Sequence, residues 1–208
     1  VLRLPMGAGR RNAGQHSQCF ENIFCHTPGL KVVAPSSAED AKGLLKSAIR
    51  DEDPVIFIEH KLLYAKKEQI PEGEYTIPLG VADVKREGTD ITIVTWSREV
   101  YFALEAAEEL AKEGISAEVV NICTIKPLDE EIILNSAKKT GKVVTVEEHS
   151  VIGGLGSAVC DCLCANHPVP VKKVGMQDVF GESGSAAALV EKYGLDAKGV
   201  YKSVKEFL

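Results

Sequence analysis

Residues 30–59 constrain the fold of this 208-residue chain more than any other stretch. A short apolar run (30–34) is followed by Pro35-Ser36-Ser37, an amphipathic stretch to about Arg50, and a second apolar run (55–59). Leu44, Leu45, Ala48 and Ile49 recur at helical spacing. Ser37 with Asp40 three residues later is a variant of the capping box that opens helices. Asp51-Glu52-Asp53-Pro54 ends the helix, and the last run reads as a buried strand. Strand, helix and strand within about 30 residues form the crossover unit of a parallel sheet.

Residues 1–4 form an apolar strand that runs into a loop with Pro5, Gly7, Gly9 and Gly14. Ser17 is placed to cap a helix carrying Phe20, Ile23 and Phe24 on one face, which Pro28-Gly29 stops. His16 then lies just before a helix start, on a turn that Gly14 lets bend. An imidazole titrates near neutral pH, as an acid–base group should, although for residue type alone a surface-loop histidine is the commoner outcome.

Residues 65–78 are charged, carry Pro71, Gly73 and Pro78, and lack periodicity, which predicts a linker. A second α/β pattern follows. An edge strand is expected at 79–85, with further strands at 91–95, 117–122, 142–146 and 169–174. Between them come a helix capped by Ser97, with Val100, Leu104, Ala107 and Leu110 inward, a helix opened by Asp129, and a helix begun by Gly153-Gly154-Leu155-Gly156. Helices at 186–193 and 197–207 complete it. The expected class is α/β: an incomplete domain over 1–64, a linker over 65–78, and a three-layer domain with a mostly parallel sheet over 79–208. Val1 opens directly in a strand with no initiator Met, so a fragment of a longer chain is expected.

A net charge of −6 and the absence of any basic cluster denser than Lys66-Lys67 or Lys172-Lys173 argue against nucleic acid and acidic membranes as partners. No apolar run approaches the roughly 18 residues of a membrane span. The six cysteines are not spaced as a disulfide framework, and Cys160, Cys162 and Cys164 alternate in a helix, which sends their thiols to different faces. All six read as reduced thiols, as in a reducing compartment.

Three motifs are discounted. Gly154-x-Gly156-x-x-Val159 lacks the last glycine of a dinucleotide fingerprint, and Glu147 and Glu148 would repel a pyrophosphate; close helix–strand packing is the better reason for these glycines. Gly181-Glu182-Ser183-Gly184-Ser185 is not a nucleophile elbow. His149 reads as a salt-bridged loop histidine more readily than as a proton carrier. Asp51 and Asp53 meet the partial negative charge of a helix C-terminus. Two solvated acids are the simpler reading there; the alternative is a hard-cation site using the Ala48 and Ile49 carbonyls with Asp51 and Asp53.

The first 64 residues resemble the β subunit of the E1 component of 2-oxo acid dehydrogenase complexes, of pyruvate, branched-chain and acetoin types. Gln15-His16-Ser17-Gln18, Pro28-Gly29-Leu30-Lys31-Val32-Val33, Asp40-Ala41-Lys42-Gly43-Leu44-Leu45-Lys46, Asp53-Pro54-Val55 and Glu59-His60-Lys61-Leu62-Leu63-Tyr64 carry the resemblance, in order and spacing. Residues 143–149 with 153–159, 178–184 and Lys192-Tyr193-Gly194-Leu195 are similar to the C-terminal domain of transketolase.

The resemblance implies thiamine diphosphate with Mg²⁺ at an interface with an E1 α-type subunit, in a heterotetramer that passes an acyl group to the lipoyl group of an E2 core. It implies a catalytic role for His16 in proton transfer or lipoyl acylation. It also implies a structural K⁺ site at Ala48, Ile49, Asp51 and Asp53, and self-association through the C-terminal domain. The implied compartment is the bacterial cytoplasm or the mitochondrial matrix. The glutamate that activates the coenzyme in the family has no counterpart in this sequence, nor does the Gly-Asp-Gly…Asn signature of the chain that holds Mg²⁺ and diphosphate. The chain alone is therefore expected to be inactive. Two alternatives stay open: the C-terminal subunit of a split transketolase moving a two-carbon ketol unit between sugar phosphates, and a non-catalytic dimerisation module.

Overall fold

The computed structural model describes residues 1–10 and 12–208. The chain begins with β1 (Leu2–Met6), a 3-10 turn (Gly14–His16), α1 (Glu21–His26), β2 (Lys31–Val33), α2 (Ala38–Arg50) and β3 (Val55–His60). After a second 3-10 turn (Leu63–Ala65), residues 66–82 carry no helix or strand. Then come β4 (Asp83–Arg86), β5 (Ile91–Thr95), α3 (Glu99–Lys112), β6 (Ala117–Asn121), β7 (Thr124–Lys126), α4 (Glu130–Thr140), β8 (Val143–Ser150), α5 (Leu155–Asn166), β9 (Val171–Met176), α6 (Ala186–Lys192) and α7 (Ala197–Phe207).

Two sheets result, in the strand orders β1-β3-β2-β7 and β4-β6-β5-β8-β9. β1, β3 and β2 are parallel, as are β6, β5, β8 and β9; β7 and β4 run antiparallel to their neighbours. Strand alternation separates the cores. Val55 and Phe57 of β3 pack with Leu44 and Ala48 of α2. Ile56 and Ile58 face the other way, into a core that also holds Val94 and Trp96 with Ile133, Leu155 and Leu163 of α4 and α5. Ile91, Ile93, Val144 and Val146 meet α3 and α7 on the opposite face of the second sheet. The second sheet is thus sandwiched by helices as expected, and one core is shared by both sheets.

Several sequence signals act as read. The Ser37–Asp40 capping box is present in both directions, and Asp129 caps α4 through the Ile132 amide. Ser17 and Ser97 do not cap their helices. The Ser17 amide closes the 3-10 turn onto the Gly14 carbonyl and its hydroxyl binds the Ala13 carbonyl, so α1 starts only at Glu21. Ser97 adopts a left-handed φ of 52°, not the extended backbone of a capping residue, and its hydroxyl has no hydrogen-bond partner among the described residues. β4 begins at Asp83, four residues after the expected start. β7 was not anticipated: three residues from the second half of the chain extend the first sheet.

Candidate functional site

The carboxyl ends of parallel strands are where open α/β sheets place ligands. Here the ends of β1, β2 and β3 meet. The loop after β1 carries His16, which is exposed. Its carbonyl accepts a hydrogen bond from Lys61 Nζ, and Arg10 Nη2 donates to the Lys61 carbonyl at 3.0 Å. Gly7 and Gly9 have φ of 94° and 112°, and a Cβ on either would run into His60 or Leu62, so the loop lies tight against the end of β3. Beside it opens a cleft of about 280 Å³ lined by Arg3, Ser36, Glu59, Tyr64 and Glu68, among others. Glu59 Oε1 accepts from Arg3 at 2.6 Å and Glu59 Oε2 from the Tyr64 hydroxyl at 2.8 Å.

Behind the loop lies a buried acidic cluster that sequence reasoning did not find. Glu148 of β8 accepts from His60 Nε2 and from the Ala8 amide, both at 2.7 Å. The Leu62 amide donates to His60 Nδ1 at 3.2 Å, which leaves Nε2 as the ring's donor to Glu148. Burial pushes the Glu148 carboxyl up, but the hydrogen bonds from His60 and Ala8 and the Arg98 charge outweigh it and hold its pKa below the ordinary value. Glu21 and Glu99 flank the pair. Neither Glu21 oxygen has a hydrogen-bond partner among the described residues, and burial raises its pKa to about 8. Burial also lifts Glu99 well above its ordinary value. The sequence trace of this cluster is one histidine and one carboxylate, His60 and Glu148, near the ends of otherwise apolar strands, with Glu21 and Glu99 at the starts of α1 and α3.

Glu147 turns the other way, accepting the Leu155 and Gly156 amides at 2.7 and 3.0 Å. Its carboxylate therefore fills the α5 N-terminus, the place a pyrophosphate would take. A Cβ at Gly154 would strike Glu147, and one at Gly156 would strike Thr145 and Lys173, so both glycines serve close packing. His149 lies on β8, not in a loop, and is not salt-bridged: it contacts the Ser150 carbonyl at 2.7 Å and Asn22 Oδ1 at 3.1 Å. Cys160 is half-buried, Cys162 buried and Cys164 exposed, and all six cysteines are free.

The structure does not bring His16 and the α2 C-terminus together. They lie at opposite ends of β3, roughly 17 Å apart along the strand at about 3.3 Å per residue. At that other end, Lys31 Nζ bridges Asp51 at 2.7 Å and Asp53 at 3.1 Å. No cluster of three or more His, Cys, Asp or Glu suited to a metal occurs among the described residues, and no helix there is long and apolar enough to cross a membrane.

Comparison with known proteins decides the family. The model of the transketolase C-terminal domain matches residues 80–200. The chain belongs to the transketolase C-terminal domain family. The model of the transketolase pyrimidine-binding domain matches residues 1–67, so this family member carries both modules in tandem. It is 47% identical over 199 residues to the 2-oxoisovalerate dehydrogenase subunit beta of Bacillus subtilis, covering 93% of this chain and 60% of that protein. It is 49% identical to the pyruvate dehydrogenase E1 component subunit beta of the same organism, covering 100% of this chain and 65% of that one. Among solved structures, a split-gene transketolase in an inactive β4 tetramer superposes with TM-score 0.85 at 38% identity, covering 98% of this chain and 66% of the other. The chain thus spans less than two thirds of the length of these curated relatives.

Proposed function

We propose that this chain is a β-type subunit of a thiamine-diphosphate-dependent 2-oxo acid dehydrogenase E1, acting in oxidative decarboxylation with acyl transfer to a lipoyl group. The observation that carries the reading is 47–49% identity to such subunits across nearly the whole chain. His16 at the carboxyl end of the parallel sheet is its structural counterpart. Thiamine diphosphate, when bound, would supply the carbanion chemistry that 2-oxo acid decarboxylation needs. The residues of this chain do not fit its diphosphate and Mg²⁺: the Glu147 carboxylate already takes the amides of the α5 N-terminus, and the Gly-Asp-Gly…Asn signature has no counterpart in the sequence. That half of the site is assigned to an E1 α-type partner. The part of this chain is to hold His16 at the cleft, where its imidazole takes up or gives a proton at the reacting centre.

The K⁺ site belongs to the same proposal. Helix-end carbonyls with Asp51 and Asp53 make the all-oxygen donor set such an ion takes. The Lys31 ammonium already bridges these carboxylates, so K⁺ would share them with it. The proposed division is 1–64, linker 65–78 and 79–208. Self-association through 79–208 is supported by exposed Phe180, Val179 and Ile152. Docking to an E2 lipoyl core, and location in a bacterial cytoplasm or mitochondrial matrix, belong to the same proposal.

The split-transketolase likeness favours a second reading, transfer of a two-carbon ketol unit between sugar phosphates. One experiment separates the two. The chain is combined with an α-type subunit, thiamine diphosphate and Mg²⁺, then offered either 2-oxo acids with a lipoyl domain or a ketose phosphate with an aldose phosphate. Acylated lipoyl domain is expected; sugar-phosphate exchange without it would replace the first reading by the second. His16→Ala is expected to lower turnover and leave assembly unchanged.

A further inference from the structure

The loop that carries His16 is fastened from two directions. On one side, the end of β3 lies against it: the His60 ring covers Gly7, Leu62 covers Gly9, the Lys61 amide donates to the Met6 carbonyl at 3.1 Å, and Lys61 Nζ reaches the His16 carbonyl. On the other side comes a single carboxylate from the second sheet. Glu148, 140 residues away in the chain, accepts the Ala8 amide, and its second oxygen accepts His60 Nε2–H. Its side chain is only 11% exposed and that of His60 6%. Two donors at 2.7 Å on the two oxygens of one enclosed carboxylate are short, charge-assisted hydrogen bonds, roughly twice as strong as neutral ones.

The need for an ionised carboxylate is specific. With His60 Nδ1 engaged by the Leu62 amide, the ring presents only a donor to Glu148, and the Ala8 amide is a second donor. An amide side chain would offer one acceptor and one donor to two donors, and would release one of them. Glu21 and Glu99, which face the same void of about 10 Å³, have no claim on either donor.

We infer that Glu148 and His60 are positioning residues for His16: a carboxylate of the second sheet, acting through the His60 ring and the Ala8 amide, fixes the Gly7–Ala8–Gly9 backbone and so the placement of the loop that carries His16. The inference rests on the proposed role of His16. It makes the C-terminal part of the chain a component of the acid–base geometry and not only an assembly surface.

The test uses Glu148→Gln, with His60→Gln as a second variant read in the same way. The first readout is ¹⁵N relaxation of the full chain. Order parameters of residues 8–10 and 12–16 are expected to fall from about 0.85 to below about 0.6 in Glu148→Gln, with the other described residues unchanged. A loop as rigid as wild type in both variants would overturn the inference. The second readout is turnover of the chain assembled with its α-type partner. Here kcat is expected to fall about 10- to 100-fold at unchanged KM, with no further loss when Glu148→Gln is added to His16→Ala. Full additivity of the two substitutions would also overturn it. If His16→Ala itself keeps wild-type turnover, the catalytic role of His16 fails, while the relaxation data still decide whether Glu148 orders the loop.

Discussion

Asp40 Oδ2, in the first turn of α2, lies 3.3 Å from Nδ2 of Asn121 at the end of β6 and accepts its hydrogen bond. The same oxygen accepts from the Ser36 amide at 3.1 Å, the Ser36 hydroxyl at 2.6 Å and the Ser37 amide at 3.1 Å. A helix cap on the first sheet is thereby also a latch to the second.

Asp40→Ala removes the capping box and takes the acceptor from the buried amide and hydroxyl of Ser36, while the Asn121 amide keeps Ser36 Oγ and the Cys123 sulfur. A loss of about 2–4 kcal/mol is expected from denaturant unfolding. Burial pushes the Asp40 carboxyl up, but the Ser36 hydrogen bonds and Lys85 outweigh it and hold the pKa below 3.8. Its contribution is therefore present above pH 3.8 and lost as the pH falls through the lower folded value. The variant should show a flatter decline in stability on acidification below pH 4.

Glu21 behaves in the opposite sense. Buried without partners, it stays protonated to about pH 8 when folded, whereas the unfolded chain loses that proton near 4.5. Its contribution is fully present below pH 4.5 and lost as the pH rises through about 8. Glu21→Gln keeps the shape without the titration. It is expected to match wild type below pH 4 and exceed it by on the order of several kcal/mol at pH 9. Parallel pH–stability curves for the two proteins would disprove the assignment.

Local signals were legible because their chemistry is local. The capping box of α2 and the Asp129 cap of α4 are each decided within four residues. The βαβ unit was legible because burial on both faces leaves continuous apolar runs. Ser97 misled because a left-handed backbone, invisible in residue type, takes it out of capping position. His16 is singled out by the resemblance, whereas the contacts behind its loop leave no such trace: His60 and Glu148 are 88 residues apart, and only the meeting of two sheets pairs them. β7 escaped notice because three residues carry no period.

Gly154→Ala tests the packing of α5 on β8. The glycine has φ −90°, so an added methyl costs nothing in backbone strain; the cost comes from collision with the Glu147 carboxylate that caps Leu155 and Gly156. A destabilisation of about 1–3 kcal/mol is expected. Wild-type stability would mean that Glu147 is not held at the helix start.

The proposed K⁺ site predicts a salt-specific effect. At equal ionic strength KCl should raise the melting temperature above that in NaCl, by about 1.4 kcal/mol of stability at ten times the dissociation constant. Asp51→Asn should abolish the difference. Identical melting in the two salts would leave the Lys31 ammonium as the cation that bridges Asp51 and Asp53.

The six thiols should react in an order set by exposure and ionisation. Cys164 is exposed, whereas burial raises the pKa of Cys25 to about 11 and lifts those of Cys19 and Cys123. At pH 7.5 a thiol with a pKa near 11 is ionised to only about 3 parts in 10,000, and the thiolate is the nucleophile. Alkylation of the native chain with iodoacetamide, followed by peptide mapping, should therefore mark Cys164 first. Cys123, behind the Asp40 and Lys85 side chains, should react only on unfolding. Early labelling of Cys123 would mean that the latch between Asp40 and Asn121 opens readily in the native state, because the Asn121 amide that reaches Asp40 also contacts the Cys123 sulfur at 3.0 Å.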